Sequence, residues 1–527
     1  MTNTHKKVMY SDDELTVKLS KGIDKIAYAV GKTLGPRGRT VILKSYNAKP
    51  ICTKDGVSVS RFIDLDDPVE NLGAQILKQA SEATVNGCGD GTSTAMILAR
   101  AIYVKAQSYL IAGDNPLELE RGMTRAVSEI IKEMENHKKI ISSLEEIKQV
   151  ATISANGDSS IGNLIALAVD KIGNDGSITI QESRSSETIL DIVEGFNFDS
   201  GLLANAFIND ERRGVVRHED CLVLVTDRSI STIDEILPIL ELVARDGRSF
   251  VIIAEQVEGQ ALAALIMNAM KGSMKIAAIK APKYGEERRN ILDDIALITH
   301  AKFVSRESGI NMRQLKLTDL GSAKIVEANK YNTTIVSSVG NQEKIEERMS
   351  ILKQQLQATE DLKACEKIQE RITRLSSGIA IIKVGGATEI EMTEKKHRIE
   401  DALEAVNAAQ QEGIVAGGGS LLIRVANNVN VSIENEAQRH GVDIIKQSVR
   451  EPFKKMVENA GLSSDVSLNQ LLNETNYEMG FDIASEKMVN MYEGGIVDPF
   501  KVVRLSLQNA LSAAKTLLMT SVAVCEE

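Results

Sequence analysis

Apolar residues recur at three- and four-residue spacing over 15–32, 71–83, 92–110 and 116–137, which predicts helices across the first third of the chain. Between the first two, β-branched runs at 40–60 are broken by Lys49-Pro50 and Asp55-Gly56, the pattern of a hairpin or two short strands. From about residue 187 the texture changes. Short apolar runs at 221–225, 250–254 and 276–279 read as strands and alternate with helical stretches at 232–245 and 258–271, the signature of an α/β domain. Over 342–375 the chain is charged and helical. Ile345, Met349, Leu352 and Leu356 step by four, three and four, Ile368, Ile372 and Leu375 repeat the pattern, and 358–361 breaks it into a helical hairpin. A strand at 379–384, a charged helix at 393–412, three glycines at 417–419 and a last helix at 499–520 follow. The first and last thirds thus share a texture that the middle lacks. A discontinuous helical domain around an inserted α/β one is expected.

Composition narrows the function. The 527 residues suggest two to four domains. Lys plus Arg number 62 against 73 Asp plus Glu, a net charge of −11 that repels phosphate backbones and anionic membranes. Aromatics are 3% with no Trp, a poor basis for stacking on bases, so neither nucleic acid nor membrane is an expected partner. The five cysteines are widely spaced with no CxxC pair, which argues against a disulfide framework or a zinc site and fits a reducing compartment. The polar start and the lack of a long apolar run point to a soluble, cytoplasmic protein.

The sharpest chemistry lies in Gly87-Cys-Gly-Asp-Gly-Thr-Ser-Thr94. Glycines let backbone approach a ligand, Asp90 offers a hard oxygen for Mg²⁺, and hydroxyls at a helix start face free N–H groups. The octet lacks the Gly-Lys-Ser/Thr of a Walker loop, and a plain glycine turn capped by Thr92 explains it equally well. Thr33-Leu-Gly-Pro-Arg-Gly38 and Thr53-Lys-Asp-Gly56 are tight turns by default, although Thr33 could give an oxygen to a cation and Asp55 could orient a water. Asp401 beside Glu400 reads as a solvated helix face. Ala416-Gly-Gly-Gly-Ser420 opens a helix and would permit nucleotide contact, while Asp498 before Pro499 makes a helix cap. The segments 236–243 and 258–271 are apolar around most of their circumference. They are either doubly buried helices or a binding groove, which Met267 and Met270 slightly favour.

Taken in order, these motifs resemble the group I chaperonins, the GroEL family, from about Val17 to Val522. Thr152-Ile-Ser-Ala-Asn156, Lys280-Ala-Pro282 and Arg398-Ile-Glu-Asp-Ala402 strengthen the likeness. The resemblance implies a multidomain α and α/β chaperonin fold. A helical equatorial domain would comprise 1–136 and 412–527, a hinge-like intermediate domain 137–193 and 380–411, and an apical domain 194–379. It implies an ATPase that uses ATP, Mg²⁺ and K⁺. Asp90 matches the Mg²⁺ ligand, and Gly91, Thr92, Ser93 and Thr94 match the phosphate contacts. Thr33, Leu34, Gly35, Pro36 and Lys54 match the facing side, with Thr33, Lys54 and Ser93 around K⁺. Gly418, Asp482, Ile483, Ala484, Ile496 and Asp498 match the adenosine wall, and Ile153 closes over the base. Asp401 matches the carboxylate that positions the attacking water, with Asp55 assisting. Leu202, Leu203, Phe207, Leu237, Leu240, Leu262, Ile266 and Met267 match the apolar strip that grips non-native polypeptides and a GroES-type co-chaperonin. The expected assembly is a homo-oligomeric, sevenfold ring, single or double.

The sequence departs from the family at Ala206 and Leu202, where tyrosines are usual, at Ser200 for an inter-subunit arginine, at Ile140 for a hinge proline, and at Asp482 for asparagine. Ser463 or Ser464 replaces an inter-ring carboxylate beside Lys454, and no Gly-Met-rich tail precedes Glu527. Ala206, Ser200 and the missing tail motivate an alternative, a paralogue that holds clients or assembles without a full folding cycle, against which intact Asp55, Asp90 and Asp401 argue. An enzyme built on the α/β domain finds no catalytic dyad there, since His218 sits in a charged cluster with Glu219 and Asp220.

Overall fold

The computed structural model describes residues 7–44, 50–173, 177–183, 185–193, 195–338, 342–358, 362–376 and 378–526. The chain forms two compact units. One gathers residues 1–166, 184–186 and 385–527, and the other 167–183 and 187–384. Both chain ends therefore share the first unit, as the texture of the sequence predicts. Its termini pair directly, Lys7–Ser11 running antiparallel to Val522–Glu526 with Met9 opposite Val524.

The first unit is mainly helical. Asp12–Gly31, Pro68–Cys88, Thr92–Ile111, Pro116–Glu135, Glu436–Ser448 and Phe500–Leu518 bury one shared core that includes Leu19, Ile23, Leu77, Met96, Met123 and Leu507. Local chemistry sets their starts. Asp67 accepts from the amides of Val69 and Glu70 ahead of Pro68, and Asn115 accepts from Leu117 ahead of Pro116. Where two helices touch backbone to backbone, only glycine fits: a Cβ on Gly122 would stand 2.1 Å from the Gln438 carbonyl oxygen.

The expected hairpin at 40–60 is present as Val41–Leu43 paired with Ile51–Thr53. Its continuation is different. Gly56–Phe62 is a helix despite Val57 and Val59, because the Asp55 carboxylate accepts from the amides of Val57 (2.9 Å) and Ser58 (3.0 Å). A double cap of this kind outweighs the modest β preference of two valines.

The second unit is α/β. Its main sheet has the order Ile276–Lys280, Ser249–Ala254, Val216–Val225, Gly321–Ala328, Thr333–Ser337, Gly195–Phe198. The first three strands are parallel, and Leu237–Asp246 and Gly259–Met270 lie in the connections between them. The helix expected at 232–245 is split, since a short 3₁₀ turn, Ile233–Glu235, precedes Leu237–Asp246 with Pro238 in its first turn. Gln342–Ala358 and Leu362–Ser376 form the expected helical pair, and most of the break at 358–361 lies outside the described residues. Buried Asp294 anchors the second of them through two 2.8 Å bonds from Arg371. A smaller sheet joins Ser177–Glu182, Ile379–Val384 and Ile189–Val193.

Candidate functional site

The turn Gly89-Asp90-Gly91 ends the Pro68–Cys88 helix and opens Thr92–Ile111. Gly89 and Gly91 are both left-handed, with φ of 74° and 88°, so the chain reverses without a side-chain clash. At Gly91 a Cβ would lie 2.5 Å from Ser506 Oγ, whose hydroxyl donates to the Gly91 carbonyl at 3.3 Å. Thr92 does not cap this helix. Gly91 occupies the cap position without a side-chain bond, and Thr92 is the first helical residue. Its Oγ1 is buried and has no hydrogen-bond partner among the described residues. Such an orphan costs about 1–3 kcal/mol. A ligand oxygen beside the free amides of the first turn would satisfy it.

A second helix start repeats the arrangement. Gly418 and Gly419 are left-handed and open Ser420–Asn428, whose Ser420 Oγ is likewise buried and unpartnered among the described residues. Pairing of Ile414–Ala416 with Val497–Pro499 sets Val415 opposite Asp498. The Asp498 carboxyl accepts from the amides of Gly418 and Gly419. It does not cap the final helix: Pro499 holds that cap position, and no side chain caps it.

Asp498 feels Asp90, and Asp90 in turn feels Asp55. Burial pushes the Asp90 carboxyl above the ordinary range, and nearby Asp55 adds to the rise. Asp90 Oδ1 accepts from the Gly91 amide at 2.6 Å, and Oδ2 accepts from Ser154 Oγ at 3.4 Å. Burial, then Asp90, pushes Asp498 up to about 6. Carboxyls raised by burial and by a neighbouring carboxylate favour a cation. Among the described residues no group of three His, Cys, Asp or Glu could hold a metal alone. One or two carboxylates completed by ligand phosphates suit Mg²⁺.

On the facing side, Thr33 Oγ1 donates to the Val30 carbonyl at 2.8 Å and lies 3.5 Å from Ser93 Oγ. A Cβ on Gly56 would stand 2.3 Å from Ser93 Oγ, so the helix capped by Asp55 abuts Ser93, and Lys54 is exposed beside it. The turn through Leu34, Gly35 and Pro36 is pinned by Asn459, whose Nδ2 donates to the carbonyls of Gly31 (2.8 Å) and Leu34 (2.9 Å). Arg37 reaches the Ala484 carbonyl at 3.3 Å and Glu486 at 3.2 Å. Asp482 accepts from the amides of Ala484 and Ser485, which shapes that turn. Ile483 is buried with Phe453 and Phe481, Ile496 is half-buried, and Ile153 is exposed near the end of Leu144–Ser154.

Asp401 lies in the Glu389–Glu412 helix, and its main-chain carbonyl is 3.2 Å from Ser154 Oγ. The same helix touches the acidic turn, since a Cβ on Gly89 would stand 2.1 Å from Glu404 Cβ. The structure thus brings Thr33, Asp55, Asp90, Ser93, Asp498 and the Asp401 helix into one neighbourhood. Sequence reading missed Asn459 and Ser506, which carry no motif. Ser154 was visible only as one letter of the 152–156 stretch.

Residues 26–526 match the model of the TCP-1/cpn60 chaperonin family. The chain belongs to the TCP-1/cpn60 chaperonin family. Its fold is similar to that of the chaperonin gp146 from the bacteriophage EL 2 (Pseudomonas aeruginosa), crystallised in two forms in the presence of ATP-BeFx. One form gives a TM-score of 0.64 at 20% identity over 99% of each chain. The other gives 0.62 at 20% identity over 98% of this chain and 99% of that one. Chaperonins are ATP-dependent protein-folding machines. No helix among this chaperonin's described residues is long and apolar enough to cross a membrane.

In the chaperonin's second unit the apolar strip divides. Leu237 and Met267 are exposed, Leu202, Leu203, Leu262 and Ile266 are half-buried, and Phe207 and Leu240 belong to the core. Gly259–Met270 is not doubly buried. Ala261 and Leu265 face inward, while Met267 is 55% and Met270 74% exposed. Exposed methionines on a half-buried helix make an adaptable apolar surface.

Proposed function

We propose that this chaperonin binds and hydrolyses ATP with Mg²⁺ and K⁺ in its first unit and grips non-native polypeptide with the second, in the cytoplasm, as a subunit of a homo-oligomeric ring served by a GroES-type co-chaperonin. One observation carries the reading. Two helix starts, each built on a left-handed glycine and a buried hydroxyl with no partner among the described residues, adjoin the carboxyl pair Asp90 and Asp498. The three-domain division into 1–136 with 412–527, 137–193 with 380–411, and 194–379 belongs to the same proposal.

When bound, ATP with its cation supplies the phosphoanhydride and a Lewis acid for its oxygens. Asp90 would hold Mg²⁺, and the amides and hydroxyls of Thr92, Ser93 and Thr94 would orient phosphate oxygens. Thr33, Lys54 and Ser93 would surround K⁺. Gly418, Asp482, Ile483, Ala484, Ile496 and Asp498 would hold adenosine, with Ile153 above the base. Asp401 would position the attacking water, helped by Asp55. Phosphoryl transfer needs chiefly positioning and charge stabilisation, so a carboxylate on a separate helix makes hydrolysis conditional on that helix's position.

The test is ATPase activity with and without K⁺ for the wild type and Asp401→Ala. The substitution should lower turnover by about 100-fold or more while nucleotide binding persists. Unchanged turnover sinks the assignment.

A further inference from the structure

Ser154 ends the Leu144–Ser154 helix with a single hydroxyl proton and two acceptors in reach. Asp90 Oδ2 is 3.4 Å away and the Asp401 carbonyl 3.2 Å away. One proton serves one acceptor well at a time. We infer that Ser154 is a positioning residue of the ATPase, a latch that shares its proton between the Asp90 carboxylate and the main chain of the Asp401 helix. The inference rests on the ATPase reading above.

Charge decides which acceptor wins. A bare carboxylate is the stronger acceptor and draws the hydroxyl toward Asp90. With a cation held there, Asp90 would be the weaker acceptor, and the Ser154 hydroxyl would turn its O–H to the Asp401 carbonyl. Occupation of the acidic turn would therefore tighten the hold on the helix that carries Asp401. The helix has a second fixed point three residues on, where Glu404 packs against Gly89 so closely that no Cβ fits. Glu404 sets how near the helix comes to the acidic turn. Ser154 ties that position to the state of Asp90.

The experiment compares the full-length wild type with Ser154→Ala, Ser154→Thr, Asp401→Ala and the Ser154→Ala/Asp401→Ala double variant. It reads kcat, KM, affinity for a fluorescent ADP analogue, and melting temperature. Ser154→Ala should lose about tenfold in kcat with nucleotide affinity and melting unchanged, the cost of a slightly misplaced group. Ser154→Thr, which keeps the hydroxyl, should recover most of the rate. In the Asp401→Ala background the serine change should alter the residual rate by less than about twofold, because both act on one step. Wild-type kcat in Ser154→Ala, a parallel fall in affinity, or full additivity in the double variant overturns the latch. If the wild type does not hydrolyse ATP, or Asp401→Ala leaves turnover intact, the ATPase reading fails and the latch with it. A normal Ser154→Ala beside an inactive Asp401→Ala removes the latch alone.

Discussion

Asp498 accepts from the amides of Gly418 and Gly419, yet its carboxyl titrates at about 6 because burial and Asp90 outweigh those two bonds. The folded protein therefore holds this proton more tightly than the unfolded chain, whose aspartate titrates near 3.8. Stability from this group is complete below the lower value and is lost as pH rises through about 6. Asp498→Asn should then be more stable than the wild type at neutral pH by about 1–3 kcal/mol, an advantage that vanishes in acid. Urea unfolding across that pH range measures it. Nucleotide affinity should fall in the same variant, since the site gives up a carboxylate that favours its cation.

Thr92→Val separates a binding role from a structural one. Valine matches the shape of threonine and removes a hydroxyl with no partner among the described residues. A capping hydroxyl would cost about 1 kcal/mol on removal, whereas an orphan costs nothing or less. The expected outcome is unchanged or raised melting temperature with about tenfold weaker nucleotide binding, the loss of one hydrogen bond to a charged oxygen. Titration calorimetry with ADP and Mg²⁺ reads the second quantity.

Much of this architecture is legible in the sequence because apolar spacing and caps are local. Asp67-Pro68 and Asn115-Pro116 announce helices before any contact is known. The Asp55 helix was less legible, since two valines argued for strand and one carboxylate decided otherwise. Asp498 looked like a cap until strand pairing with Val415 turned it toward the glycines. Asn459 and Ser506 could not be found from the sequence. Their side chains act on carbonyls at Gly31, Leu34 and Gly91, more than 400 positions away. Local pattern finds what local energy fixes, and the braces of the site are tertiary.

The Gly259–Met270 helix makes a paired test of the gripping surface. Leu265 is fully buried, so Leu265→Ala should cost about 2–5 kcal/mol and lower the melting temperature. Met267→Ser with Met270→Ser changes two exposed side chains and should leave melting unchanged while weakening capture of a denatured client. Suppression of client aggregation without ATP measures capture. Recovery of client activity with ATP separates a folding cycle from mere holding. Equal capture by the double serine variant would move the client surface elsewhere.

Assembly supplies the last test. The family likeness expects an inter-ring carboxylate at Ser463 or Ser464 beside Lys454, and the Lys454 ammonium pairs with Asp465 of the same chain at 2.8 Å. A cation satisfied within its own subunit gains little by docking on a second ring, because a new exposed pair is worth about 0–1 kcal/mol. Closed cyclic symmetry does not need that contact. On a sevenfold plan, chains of 57.3 kDa give about 401 kDa for one ring and about 802 kDa for two. The expected mass is the smaller value, with and without ATP, by native mass spectrometry. A stable particle at the larger value would mean that other contacts hold the rings and that signals pass between them. A monomer in both conditions would remove the chamber and leave a holding protein.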